Sequence, residues 1–175
     1  FYNCSSLTSI VIPNITSIPN YMFYGCESLV ELNLPATVTR LGYDSFYKCA
    51  SLTSLDLKNI AFTNNYVFYK CSGLTDVILS TLLTSVVAYL FAYCTNLDNI
   101  VIPANYTSIG QAAFTNCTSL KTITLNENIK TINGSAFNGC SALESIRLPE
   151  GLTTLATSAF NNCTSLSSID LPAGI

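Results

Sequence analysis

Eight cysteines stand at positions 4, 26, 49, 71, 94, 117, 140 and 163, so every interval is 22 or 23 residues. A phenylalanine lies three residues before each of them (Phe1, Phe23, Phe46, Phe68, Phe91, Phe114, Phe137, Phe160). A leucine lies three residues after each (Leu7, Leu29, Leu52, Leu74, Leu97, Leu120, Leu143, Leu166). Of nine phenylalanines only Phe62 falls outside its column, so composition bias does not explain the register. A fixed period of this length restricts the chain to repeat architectures, in which each unit is one supersecondary turn that cannot bury its apolar face alone.

Within the unit, Ile, Leu or Val stands six residues after Cys and Ile or Leu eight after, as in Leu55 and Leu57 or Ile100 and Ile102. Alternation of this kind predicts a short strand with one buried face. Proline follows in five units (Pro13, Pro35, Pro103, Pro149, Pro172) and ends the strand, because it has no N–H for a ladder bond. One unit orders about 23 residues at roughly 1.5 kcal/mol each, while its half-dozen apolar side chains return only about 2 kcal/mol apiece. A single coil therefore cannot fold alone. Its neighbours must supply ladder hydrogen bonds and cover its edges, which predicts a solenoid of short, parallel, stacked strands.

The run I-x-x-x-A-F-x-x-C-x-x-L-x-x-I-x-L-P occupies Ile132 to Pro149 and, with Leu at its first position, Leu155 to Pro172. On this run the chain resembles the BspA-like leucine-rich repeats along its whole length. The resemblance implies a leucine-rich-repeat solenoid: a curved right-handed coil with one parallel β-sheet on the concave side and turns or short 3-10 segments on the convex side. The expected organisation is a single domain, residues 1–175, of about eight repeats. No polar capping repeat stands at either end, which reads as a fragment of a longer array. The pattern decays toward the N-terminus, where Met22, Val67 and Leu90 replace the small residue before Phe, and Lys58, Ser80 and Asn126 replace Pro. The two 22-residue units predict local bends around Pro13 to Tyr24 and Lys58 to Tyr69.

Composition narrows the function classes. A net charge of -3 without a Lys/Arg run predicts no nucleic-acid partner. No apolar run approaches 18 residues, which predicts no direct membrane insertion. The absence of His removes any Ser–His or Cys–His nucleophile pair and the commonest metal ligand. The expectation is no enzyme, no cofactor and no metal. Equivalent solenoid positions point the same way into the core, whereas a disulfide needs converging Cβ vectors, so the cysteines are read as free buried thiols.

Binding residues are sought among strand positions that face away from the core. Five and seven residues after each Cys these include Glu31/Asn33, Ser54/Asp56, Asp76/Ile78, Asn99/Val101 and Thr122/Thr124. Glu31, Asp56 and Asp76 could pair as acid and base or as calcium ligands, but no calcium-loop motif completes them and solubilising charge is the simpler reading. Ile78 and Val101, adjacent and exposed, mark a contact patch. The candidate binding residues are Asp56, Asp76, Ile78, Asn99 and Val101. The alternative is the tyrosine stripe directly after Phe, at Tyr24, Tyr47 and Tyr69, with Tyr suited to glycan or protein contact. The resemblance implies a non-catalytic interaction or adhesion module, extracellular or displayed on a microbial surface. Its partner would be a protein or glycan, such as host extracellular matrix or another cell. The alternative is an intracellular or periplasmic scaffold arm presenting a separate effector domain. Uncapped apolar ends also predict self-association.

Overall fold

The three invariant columns become the core of the computed structural model, which describes residues 1–175. Phe23, Phe46, Phe68, Phe91, Phe114 and Phe137 are fully buried, and so are the leucines from Leu29 to Leu143 in their column. Consecutive Phe rings stack with centroids 5.2–5.9 Å apart and planes within 16°. That spacing follows from coils stacked at about the strand repeat of 4.8 Å.

Strands are two or three residues long, all paired parallel, and no helix is present. The expected sheet is made of β3 (Ser54–Asp56), β5 (Asp76–Ile78), β7 (Asn99–Val101) and β9 (Thr122–Thr124). A second parallel ladder joins it on another side of the coil. This ladder comprises β1 (Ser17–Ile18), β2 (Arg40–Leu41), β4 (Phe62–Thr63), β6 (Ser85–Val86), β8 (Ser108–Ile109), β10 (Thr131–Ile132) and β11 (Thr154–Leu155). It was not anticipated, because a two-residue strand shows one inward residue and no alternation. Two further apolar columns support it. Eight residues before Cys stand Ile18, Leu41, Thr63, Val86, Ile109, Ile132 and Leu155, and eleven before stand Ile15, Val38, Ile60, Leu83, Tyr106, Ile129 and Leu152.

The corners between strands use left-handed backbone. Every residue with positive φ lies either five residues before Cys, from Tyr21 to Ser158, or directly before Cys, from Asn3 to Asn162. Non-glycine residues cost roughly 1–2 kcal/mol there, least for Asn, which explains Asn3, Gly25, Asn116, Gly139 and Asn162 in the second column.

The ladders are interrupted. On the sheet face β3 pairs with β5 and β7 with β9, without strand pairing between β5 and β7. On the second ladder the order β1-β2-β4 stops, and β6-β8-β10-β11 begins anew. Both gaps fall between the coil carrying β4 and β5 and the coil carrying β6 and β7. The local sequence departs from the repeat here: Thr63 takes an aliphatic position, the interval from Cys49 to Cys71 is one residue short, and Ser80 stands where Pro ends other strands. Side chains partly replace the missing ladder bonds. The buried Tyr106 hydroxyl donates across the gap to the Ser80 carbonyl (3.0 Å), while the Ser80 hydroxyl ties this segment back to the Lys58 carbonyl of the preceding, paired coil (3.1 Å). The Asn105 amide donates to the Thr81 and Leu83 carbonyls.

Candidate binding surface

The thiols serve the core. Seven of the eight cysteines are buried and all are free. Each thiol from Cys26 to Cys163 donates to the carbonyl of the Phe in the preceding coil, at 3.1–3.3 Å. That carbonyl also receives the N–H of the Cys in its own coil, as Phe91 does from Cys94 at 3.1 Å. An apolar residue of similar size would forgo the S–H bond, although the carbonyl would keep its N–H donor, so Cys adds a weak second bond in each coil. Burial pushes Cys49 and Cys117 up to about 12, so the thiolate needed for nucleophilic or metal chemistry is disfavoured.

The sheet face gathers four of the five candidate residues. Ile78 and Val101 are 60% and 62% exposed on neighbouring strands β5 and β7. Between these strands lies a depression of about 520 Å³ lined also by Thr75, Asp76, Asn99 and Pro103. Its floor is Val77, Leu79 and Ile100, so it is an open apolar trough with a polar margin. Asp76 forms no ion pair. Its carboxylate accepts only the Thr75 hydroxyl, at 3.4 Å. Asn99 donates its amide to Asp98. Asp56 belongs to the other side of Ile78: it pairs with that residue across the ladder but lies outside the trough. Its carboxylate is bound by Lys58 at 2.7 Å, and the hydrogen bonds from Lys58 hold it below the usual range. Thr75 and Pro103 were not among the expected residues, since a trough between coils is legible only when consecutive units are overlaid.

The tyrosine stripe has a different geometry. Tyr2, Tyr24, Tyr47 and Tyr69 form a stack with centroids 4.5–5.1 Å apart and planes within 8°. Both faces of Tyr24 and Tyr47 are therefore covered by neighbouring rings, leaving edges and hydroxyls toward solvent. Desolvation and the adjacent phenols push Tyr69 up to about 12 and Tyr24 above its ordinary value. At the end of the stack Tyr93 tilts by 52°, with the Lys70 ammonium 5.7 Å from both the Tyr69 and Tyr93 rings. A second row, Tyr66 on Tyr89, runs beside it at 4.4 Å.

A third surface lies at the gap in the second ladder. Phe62 and Leu82, 41% and 58% exposed, flank a depression of about 230 Å³, and Arg40 covers the Phe62 ring at 4.4 Å.

Comparison with known proteins places these surfaces on a common scaffold. The chain is similar to a leucine rich cell surface protein from Faecalibacterium prausnitzii, at 32% identity and TM-score 0.79 over 89% of this chain and 42% of that one. It is similar to the T. pallidum leucine rich repeat protein, at 28% identity and TM-score 0.81 over 88% of this chain and 72% of that one. A leucine-rich repeat protein from Eubacterium ventriosum matches at 25% identity and TM-score 0.81 over 94% and 44%. The chain thus spans less than half the length of the F. prausnitzii and E. ventriosum proteins. No curated protein matches it. The family model described as the BspA type leucine rich repeat region, in six copies, matches residues 1–100 and 84–175. With that match along its whole length, the chain belongs to the BspA-type leucine-rich-repeat family.

Proposed function

We propose that this chain is a non-catalytic protein-interaction and adhesion module displayed on a microbial surface, and that it engages its partner through the sheet face at Asp76, Ile78, Asn99 and Val101, with Asp56 alongside. The observation that carries the reading is the exposed Ile78–Val101 pair over the trough between β5 and β7. Two aliphatic side chains held on short strands offer apolar area that loses little entropy on docking. The stacked tyrosines favour this face over the stripe, because carbohydrate stacking needs a free ring face and Tyr24 and Tyr47 have none. Surface display is supported by the likeness to the F. prausnitzii cell surface protein. The non-catalytic reading is supported by the absence of His and by thiols kept protonated in the core.

The test is a screen of immobilised extracellular-matrix proteins and glycans, followed by variants of the captured interaction. Ile78→Lys with Val101→Lys is expected to abolish binding while Tyr47→Ala leaves it intact. Loss with Tyr47→Ala alone would move the site to the tyrosine stripe.

A further inference from the structure

We infer that the partner of the trough between β5 and β7 is an extended protein segment carrying an aliphatic side chain next to a lysine or arginine. This rests on the sheet-face reading above and adds the chemistry of the occupant. Three features of the trough point the same way.

The first is charge. Asp76 is exposed on its margin with no cation bound to it, and no Lys or Arg lines the trough. On the flanking strand β3 Asp56 already holds Lys58 at 2.7 Å, whereas Asp98, just before β7, takes part in no ion pair. A sulfated or sialylated glycan would meet like charge here, whereas an ammonium or guanidinium group would gain an unpaired carboxylate.

The second is the nature of the apolar surface. Ile78 and Val101 are aliphatic, so they provide area for a branched side chain but no aromatic face for a sugar ring.

The third is the open ladder. The backbone N–H groups of Leu79 and Asp98 have no backbone acceptor, while the equivalent groups of Leu57 and Lys121 donate to Ile78 and Asp98 carbonyls at 3.0 and 2.9 Å. Peptide carbonyls in an extended segment supply acceptors of the matching kind. One ligand class, a peptide, combines all three: backbone carbonyls, an aliphatic side chain and a neighbouring cation.

The experiment uses the whole chain with isotope-labelled Ile and Val methyl groups. Two short capped peptides serve as probes, one with a Leu-Lys-Val-Arg core and one with Glu replacing both basic residues, alongside a neutral chitin oligosaccharide. The basic peptide is expected to shift the Ile78 and Val101 methyl signals saturably and to bind about ten-fold more tightly than the acidic one, with affinity falling as salt rises. Asp76→Asn is expected to cost about five-fold of that affinity while the remaining methyl spectrum stays unchanged. Equal shifts from both peptides at Ile78 and Val101 would keep the site but overturn the basic partner. Shifts there from the oligosaccharide alone would overturn the protein class. No shift at those methyls from any probe, or shifts confined to residues near Tyr47, would overturn the sheet-face reading itself.

Discussion

The coils before and after the paired ladder gaps obey the same repeat with different strictness. After the gap the inward residues of the second ladder are all aliphatic, Val86, Ile109, Ile132 and Leu155, and β6, β8, β10 and β11 form one unbroken ladder. Ala113, Ala136 and Ala159 precede Phe there, with Leu90 before Phe91 the exception. Before the gap Met22, Ser45 and Val67 hold that position, Thr63 interrupts the aliphatic column, and the coil from Cys49 to Cys71 lacks a residue. Yet the Phe, Cys and Leu columns cross the boundary without a substitution. Phe68 stacks on Phe91 at 5.9 Å, the widest of the seven Phe pairs, and Cys94 still donates to the Phe68 carbonyl at 3.3 Å. The difference teaches that where the ladders stop, the three core columns hold the coils together with backbone bonds at the corners, such as the Phe68 N–H to the Leu90 carbonyl (3.1 Å) and the Lys70 N–H to the Ala92 carbonyl (2.8 Å). A strand of two residues contributes one or two hydrogen bonds of about 1 kcal/mol net, whereas a fully buried Phe contributes roughly 1.5–3 kcal/mol.

The strongest way to break that comparison is to remove a ring at the boundary. Phe91→Ala is expected to cost roughly 3–5 kcal/mol and to split calorimetric unfolding into two transitions, because no ladder bridges the two parts. Phe137→Ala, inside the closed ladder, should cost a similar amount with one transition. A single transition in both variants would show that the interrupted ladders couple the parts after all.

The thiol column supplies the next effect. Burial raises Cys49 and Cys117 from an ordinary value of 9.0 to about 12, so the folded chain holds these protons more tightly than the unfolded one. Their contribution is complete below pH 9 and is lost as pH climbs from 9 toward 12. Denaturant midpoints measured across this window should fall steadily, and Cys117→Ala should flatten the slope. A midpoint that Cys117→Ala leaves equally steep would remove the thiols as its cause.

Two smaller substitutions sharpen the account of the boundary itself. Tyr106→Phe deletes the donor to the Ser80 carbonyl and is expected to cost about 1–2 kcal/mol, with faster amide exchange in the segment around Ser80 to Thr84. Unchanged exchange there would mean that the phenol does not hold the crossing segment. Thr63→Val restores an aliphatic side chain at a position 7% exposed, where the hydroxyl reaches only the adjacent Asn64 carbonyl at 3.3 Å. A gain of up to about 1 kcal/mol in denaturant unfolding is expected. No gain would place the origin of the gap in the shortened coil instead.

Much of the architecture was legible in residue spacing because a buried column must repeat its residue type wherever coils stack in register. Phe1 to Phe160, Cys4 to Cys163 and Leu7 to Leu166 announced the core, and the alternation at Leu55 and Leu57 announced the strand that carries Ile78 and Val101 outward. The second ladder escaped notice because its positions read Ser, Arg, Phe or Thr on the outside and a single apolar residue inside. Tyr106 escaped for a related reason: its column is otherwise aliphatic, and only its hydrogen bond to Ser80 reveals why a phenol is tolerated there. Of the binding candidates, Asp76, Ile78, Asn99 and Val101 meet at one trough, while Asp56 stands on β3, on the other side of Ile78, paired with Lys58.

The amino-acid order alone determined that this protein is a solenoid, which residues fill its core and which side chains leave the strands, since all three follow from period and alternation. Only the tertiary structure decided where the stack loosens, because ladder bonds depend on the relative placement of backbone atoms in successive coils. It also decided which tyrosine faces are covered and which carboxylate stands without a cation, since both depend on side chains that meet across a coil boundary some 22 or 23 residues apart in the chain.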